Sequence, residues 1–288
     1  MSKKSRNFKT GGIYHITHRG HNHQYILADD IDKAILLDKL KKILIEHSGQ
    51  LLYFVLMNNH YHILLEMQET PVDLIMHRLN TGYGRYYSLK YKTTGAVFEN
   101  RYHAQEVDGL KYLHAVIQYL AMNPIRAGLN EKVTDYRWSA HLDIAQKRPV
   151  YVSSQRLFEI LGGAPEKGRL IYQDLIQRAQ KDPTKKLDPR EYQFKRKINI
   201  LENQLGSYIE SLSECLSDPA TVEQIQSGKR TPSIVKVRQE FSRQARAQGY
   251  TVSEIAATLR VSPRSVRYWC NETDEANQGN AETGPNSH

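Results

Sequence analysis

The chain has 288 residues, room for one sizeable domain and a smaller one. Its 40 Lys and Arg against 31 Asp and Glu give a net charge of +9, which favours a polyanionic partner, and its 18 tyrosines against 6 phenylalanines suit a surface that handles nucleic acid. Cys215 and Cys270 have no paired spacing, so no disulfide framework or zinc site is implied; no apolar run approaches membrane-spanning length, and MSKKSRNFKT lacks the apolar core of a signal peptide, so a cytoplasmic, nucleoid-associated setting is expected, with no membrane partner.

Residues 1 to 10 read as a basic, flexible arm. GGIYHITHRG alternates as a strand over about 12 to 18, with Tyr14, Ile16 and His18 on one face and Ile13, His15 and Thr17 on the other. His21 and His23 follow in a loop, facing solvent or DNA. Asp29 to His47 reads as a helix with an apolar stripe of Ile31, Ala34, Ile35, Leu37, Leu40, Ile43 and Leu44, capped by Asp29 or Asp30 and ended by Ser48-Gly49. Leu51 to Leu56 is a strand, and Met57-Asn58-Asn59 leads into a second extended run, His60 to Glu66. A helix starts at Pro71-Val72-Asp73 and runs through Tyr86-Tyr87; residues 91 to 96 form a loop. Val97 to Val107 reads as a fourth strand with Arg101 and His103 on one side, and a helix from Gly109 is stopped by Asn123-Pro124. The order β-α-β-β-α-β predicts an α+β fold of the split-βαβ (ferredoxin-like) type, one antiparallel sheet with two helices on one face and the opposite face available for a ligand.

Residues 125 to 145 read as a packing extension anchored by Tyr136 and Trp138, which closes a first domain over 1–145. Residues 146–228 form a helical connector. Residues 229–270 are a clearer unit, with nine Lys or Arg between Lys229 and Trp269 against Glu240 and Glu254. There GYTVSEIAATLRVSPRSVRYWC reads as a helix-turn-helix. Ser262 and Pro263 open its second helix, Val266 and Trp269 face inward, and Arg264 and Arg267 face outward to contact bases or phosphates of duplex DNA. The helix before it, Pro232 to Gln248, supplies Val235, Val237, Phe241 and Ala245 to the core. The tail, 271–288, has no apolar stripe and is expected to be disordered.

The chemistry centres on LLYFVLMNNHYHILLEM, residues 51–67. In an extended segment alternate side chains face the same way, so His60 and His62 sit side by side. Two imidazoles so placed suit one divalent metal; the alternative is two histidines on the wet face of a half-buried strand. Tyr119 and Asn123 are four apart and share a helical face. Across the free sheet face, Tyr119 would approach a phosphate at His60 and His62, and Asn123 would add a carbonyl oxygen as third ligand. Mg²⁺ or Mn²⁺ fits a phosphate site, and the imidazoles lean towards Mn²⁺. By spacing alone, Tyr119 is equally a core or surface tyrosine, and Asn123 a helix-end residue.

VLMNNHYHILLE, QYLAMNPIRAGL and the following YRWSA resemble the single-tyrosine HUH transposases, in particular the REP-associated tyrosine transposases, relatives of the IS200/IS605 family. The resemblance covers roughly residues 8 to 141. It implies that His60 and His62 hold the metal, that Asn123 completes the site, and that Tyr119 is the nucleophile. It also implies a metal-dependent endonuclease and strand transferase acting on single-stranded DNA with a foldback hairpin through a 5′-phosphotyrosine. Where the family has a Gly-His-Leu-Phe-x-x-Arg-Tyr-type run, this chain has Gly95-Ala96-Val97-Phe98-Glu99-Asn100-Arg101-Tyr102, without the His. Arg19 fits the family's early Arg-Gly pair, and Arg19, Arg101 and Arg126 are candidate phosphate contacts. Two other readings remain: a non-catalytic DNA-binding regulator, and a metal-dependent phosphodiesterase that uses water. Either a monomer or a homodimer could house the site.

Overall fold

Alternating and continuous apolar runs pair into one antiparallel sheet of order β2-β3-β1-β4. Its strands are β1 (Ile13–Arg19), β2 (Gln50–Leu56), β3 (His60–Glu66) and β4 (His103–Glu106). The computed structural model describes residues 10–146, 149–182, 189–213 and 221–278; the basic arm and residues 279–288 lie outside them. The chain divides into two compact units, residues 1–189 and 190–288. No described helix is long and apolar enough to cross a membrane.

In the first unit the strands alternate with α1 (Asp30–Glu46) and α2 (Val72–Tyr91), and α3 (Leu110–Arg126) follows β4. The predicted order β-α-β-β-α-β is the observed one, with three differences. β4 is shorter than the run Val97 to Val107, because residues 97–102 touch β1 at single points: Phe98 bridges Gly20, and Glu99 N–H donates to the Arg19 carbonyl. α3 does not stop at Asn123-Pro124 but continues to Arg126 with Pro124 in its last turn. Pro124 forfeits only its own bond back to the Leu120 carbonyl, and the loss falls in the final turn, with only Ile125 and Arg126 to follow. Finally, α1 buries Asp32, Lys33, Leu36 and Leu37, while Ile31 is 62% exposed.

Buried polar partners rotate that stripe. Asp29 caps α1 by accepting from Asp32 N–H, and the Asp32 carboxylate is fully buried. It accepts from Tyr86 Oη at 2.9 Å, Tyr91 Oη at 2.7 Å and Lys90 Nζ at 2.7 Å, all on α2. Burial alone would raise the Asp32 pKa, but the hydrogen bonds from Lys90, Tyr91 and Tyr86 outweigh it and hold the carboxyl below its usual range. A carboxyl depressed in the folded state contributes stability that is present above its unfolded pKa and lost as pH falls through its folded one. Thermal midpoints of the parent and Asp32→Asn should therefore differ most near neutral pH and converge below about pH 4. A gap that stays constant across that range would count against this.

β2 and β3 are buried along nearly their whole length, so both sheet faces are covered at the centre. α1 and α2 lie on one face; α3 covers the other. The segment after α3 extends the packing as anticipated: Tyr136 Oη donates to the Leu56 carbonyl at 2.7 Å, and Leu56 N–H donates to the Trp138 carbonyl at 2.9 Å. Three more helices belong to this unit: α4 (Ala140–Ala145), α5 (Ser154–Gly162) and α6 (Pro165–Lys181). α4 and α5 contact β2, and α6 contacts α3. α5 and α6 meet backbone to backbone at Gly168, where a Cβ would stand 1.9 Å from the Phe158 carbonyl oxygen. Gly168→Ala should therefore destabilise by about 2–3 kcal/mol, although Gly to Ala in an ordinary helix stabilises by about 1 kcal/mol. A urea unfolding series gives the sign.

The second unit holds α7 (Pro189–Ser213), α8 (Val222–Gln226), α9 (Pro232–Ala247), α10 (Val252–Leu259) and α11 (Pro263–Gln278). Leu201, Leu205, Ile234, Val237, Phe241, Ile255, Leu259, Val266 and Trp269 are in its core. Ile234 takes the buried place assigned above to Val235. No Gly or Pro interrupts the chain between Pro263 and Gln278, and α11 runs through Asn271 into the segment assigned to the tail.

Candidate functional site

Strand register decides which side chains meet. Arg19 opposes His60, and Thr17 opposes His62. Directly paired residues share a sheet face, and His15, two positions before Thr17, shares it too. The His15 and His62 rings stack at 5.2 Å, and His15 Nε2 lies 3.0 Å from His62 Nδ1. Thr17 Oγ1 lies 2.9 Å from the same nitrogen. The His60 ring stands edge-on to His62 at 5.1 Å.

α3 crosses this face with Tyr119 pointing down. Its ring centre lies 5.7 Å from that of His62 and 6.3 Å from that of His15. Arg126, two turns further along α3, places its guanidinium 5.7 Å from the Tyr119 ring centre. The fold thus gathers His15, Thr17, His62 and Tyr119, with His60 and Arg126 beside them. Leu113, Val116, Ile117 and Leu120 are buried and seat the helix, while Tyr119 is half-buried at its edge. Gly109 starts α3 with φ 88°, a left-handed turn that favours glycine.

His60 Nδ1 lies 2.7 Å from Asn59 Oδ1. An amide oxygen only accepts, so Nδ1 donates and Nε2 keeps its lone pair. Burial, then the charge of Arg19, pushes the His60 pKa down to about 4, so the ring is neutral at pH 7. Asn123 sits one turn beyond Tyr119, and its Nδ2 is buried with no hydrogen-bond partner.

The expected Mg²⁺ or Mn²⁺ at His60, His62 and Asn123 is corrected here. Among the described residues no group of three or more His, Cys, Asp or Glu side chains could hold a metal ion. The reason lies in the donor set. The third group is an uncharged amide, and among the described residues no carboxylate joins the imidazoles to offset a divalent charge.

Of the predicted arginines, Arg19 is exposed and paired in register with His60. Arg101 lies on the α2 side of the sheet, where it pairs with Asp73 at 3.5 Å, while Tyr102 Oη donates to the same carboxylate. Also on that side, buried His18 stacks on Phe98 at 4.0 Å and bonds to the Asn100 carbonyl at 2.8 Å. Arg264 and Arg267 are exposed on α11 in the second unit. Sequence spacing gives His15 and Thr17 no part in the site. Alternation places them on one face, but only the register with β3 brings them to His62.

Residues 9–123 match the family described as Transposase IS200 like, which establishes a distant relationship to the IS200/IS605-like tyrosine transposases. Residues 242–287 match the family of the ATPase subunit of terminase (gpP-like). Among solved structures, a REP-associated tyrosine transposase bound to a REP hairpin is similar over 51% of this chain and 87% of its own, with 17% identity and a TM-score of 0.44. A candidate transposase from Deinococcus radiodurans R1 is similar over 42% of this chain and 97% of its own, with 20% identity and a TM-score of 0.32. No curated protein matches.

Proposed function

We propose that the first unit is a DNA strand transferase that cuts single-stranded, hairpin-associated DNA through a covalent tyrosine intermediate. The observation that carries this reading is the Tyr119 ring set 5.7 Å from His62, over a histidine-lined patch of the sheet, with the Arg126 guanidinium beside it. The split-βαβ sheet order supports it, since that arrangement leaves one face for α3 and a ligand.

In this proposal Tyr119 Oη attacks the scissile phosphorus. The new Oη–P bond forms as the P–O3′ bond breaks, so one strand end leaves as a free 3′-OH and the other stays on Tyr119 as a 5′-phosphotyrosine. The phenolic proton passes to an imidazole of the patch, and the departing O3′ takes a proton from solvent. Arg126 and Arg19 offset the phosphate charge, and the orphaned Asn123 amide donates to a phosphate oxygen. A second 3′-OH then attacks the phosphotyrosine, rejoins a strand and releases Tyr119. In the second unit, exposed Arg264 and Arg267 contact duplex DNA.

Incubating the protein with end-labelled single-stranded hairpin DNA, in parallel with added divalent salt and with chelator, tests this. A labelled adduct that survives denaturant is expected. Cut DNA without an adduct would instead mean hydrolysis by water. Among the described residues no group of His, Cys, Asp or Glu side chains is placed to hold a metal ion, which favours a second reading, a DNA-binding regulator without catalysis. Tight hairpin binding with neither adduct nor cut strand, in both buffers, would select that reading.

A further inference from the structure

In the second unit a groove of about 600 Å³ opens where the loop between α8 and α9, the C-terminal end of α10 and the first turn of α11 meet. Arg230, Arg260 and Arg264 reach it from those three segments, and no carboxylate is among its described lining residues. Its floor is Arg238, which is 3% exposed. The Arg238 guanidinium donates to the carbonyls of Ile225 at 2.8 Å, Lys229 at 2.9 Å and Ser227. Carbonyl dipoles satisfy its hydrogens but leave its full charge uncompensated, so floor and rim are positive together. Such a concavity concentrates field and draws a polyanion.

Two further observations define how an anion would sit. Arg260 closes α10 in the left-handed region with φ 53°, where Gly or Asn is the low-strain choice. Ser262 Oγ accepts from Ser265 N–H at 3.1 Å and caps α11, whose positive end therefore opens into the groove, and Tyr268 stands 62% exposed on the rim.

We propose that this groove grips the sugar–phosphate backbone of double-stranded DNA beside a major groove occupied by the first turns of α11. An α-helix fits that groove, and the phosphates bordering it then lie against residues just before the helix. Here Arg260 lies just before α11, and the loop between α8 and α9 brings Arg230 to the same groove. A single strand offers no rigid border on which three separately anchored guanidinium groups could converge. The proposal rests on the duplex-DNA reading of the second unit and is independent of the Tyr119 chemistry.

The test uses the full chain and a labelled duplex without a hairpin, with affinity measured across a salt series. Arg230→Gln and Arg264→Gln should each weaken binding about tenfold and lower the slope of log affinity against log salt by about 0.9. Arg260→Gly should weaken binding similarly while raising the thermal midpoint, because it removes charge and backbone strain together. Adduct formation on hairpin DNA should persist in Arg230→Gln and Arg260→Gly, and a parent that binds no duplex would end the duplex-DNA reading itself, so a failure of that reading and a failure of the groove can be told apart. Unchanged duplex affinity and salt slope in the variants would overturn the proposal. So would a lowered midpoint in Arg260→Gly, equal losses on single strands, or inorganic phosphate competing as well as duplex per phosphate.

Discussion

Replacing Tyr119 by Phe should lower covalent adduct formation and strand cutting by at least about a thousandfold, roughly 4 kcal/mol of barrier, while leaving the thermal midpoint and hairpin binding near the parent values. The substitution removes one oxygen from a half-buried ring and keeps its packing over His62 and under Arg126. A phenyl ring has no nucleophilic atom, and no other tyrosine stacks on the His15–His62 pair among the described ring contacts. Rescue by a neighbouring hydroxyl is therefore not expected. The readout is a denaturing gel of labelled DNA, with binding followed separately so that loss of chemistry is distinguished from loss of substrate. A Phe variant that cuts at the parent rate would place the attacking atom elsewhere, in a water molecule or another side chain.

How far such a site is legible in the chain depends on which interactions are local. The pairing of His60 with His62 follows from strand alternation, and the common face of Tyr119 and Asn123 from helix periodicity; both are set within a few residues. The strand order follows from element type and short connections. What cannot be read locally is register. Thr17 meets His62 only because β1 and β3 pair as they do, and a one-residue slip would carry His15 to the face occupied by His18. The α1 stripe fails for a related reason. Apolar periodicity favours Ile31, but the partners of Asp32 are three side chains on α2, nearly sixty residues away in sequence, and their hydrogen bonds turn the helix. Pro124 illustrates a third limit. It is a reliable breaker in a helix interior, yet α3 needs only one more turn to bring Arg126 over Tyr119. The metal assignment turns on the donor set, and the uncharged amide of Asn123 does not offset a divalent charge as a carboxylate would.

Arg238→Ala should cost the second unit about 3–5 kcal/mol, and lower its thermal midpoint on the order of 15 °C. Arg238 is a buried cation on α9 that organises the segment between α8 and α9, since it donates to the carbonyls of Ile225, Ser227 and Lys229. Truncation leaves those acceptors facing a void, and opens space beside Ile234 and Ser242, one turn to either side of it on the helix. Arg238→Lys keeps the charge but offers a point donor in place of a planar fork, so it should recover only part of the loss. Circular dichroism melts of the full chain and its variants follow the helical signal of this unit. If Ala and Lys variants both melted within about 2 °C of the parent, the three carbonyls would have to find other donors, and the loop carrying Arg230 would not be held from beneath. If Lys restored stability in full, charge rather than the forked hydrogen bonding would be what the position requires.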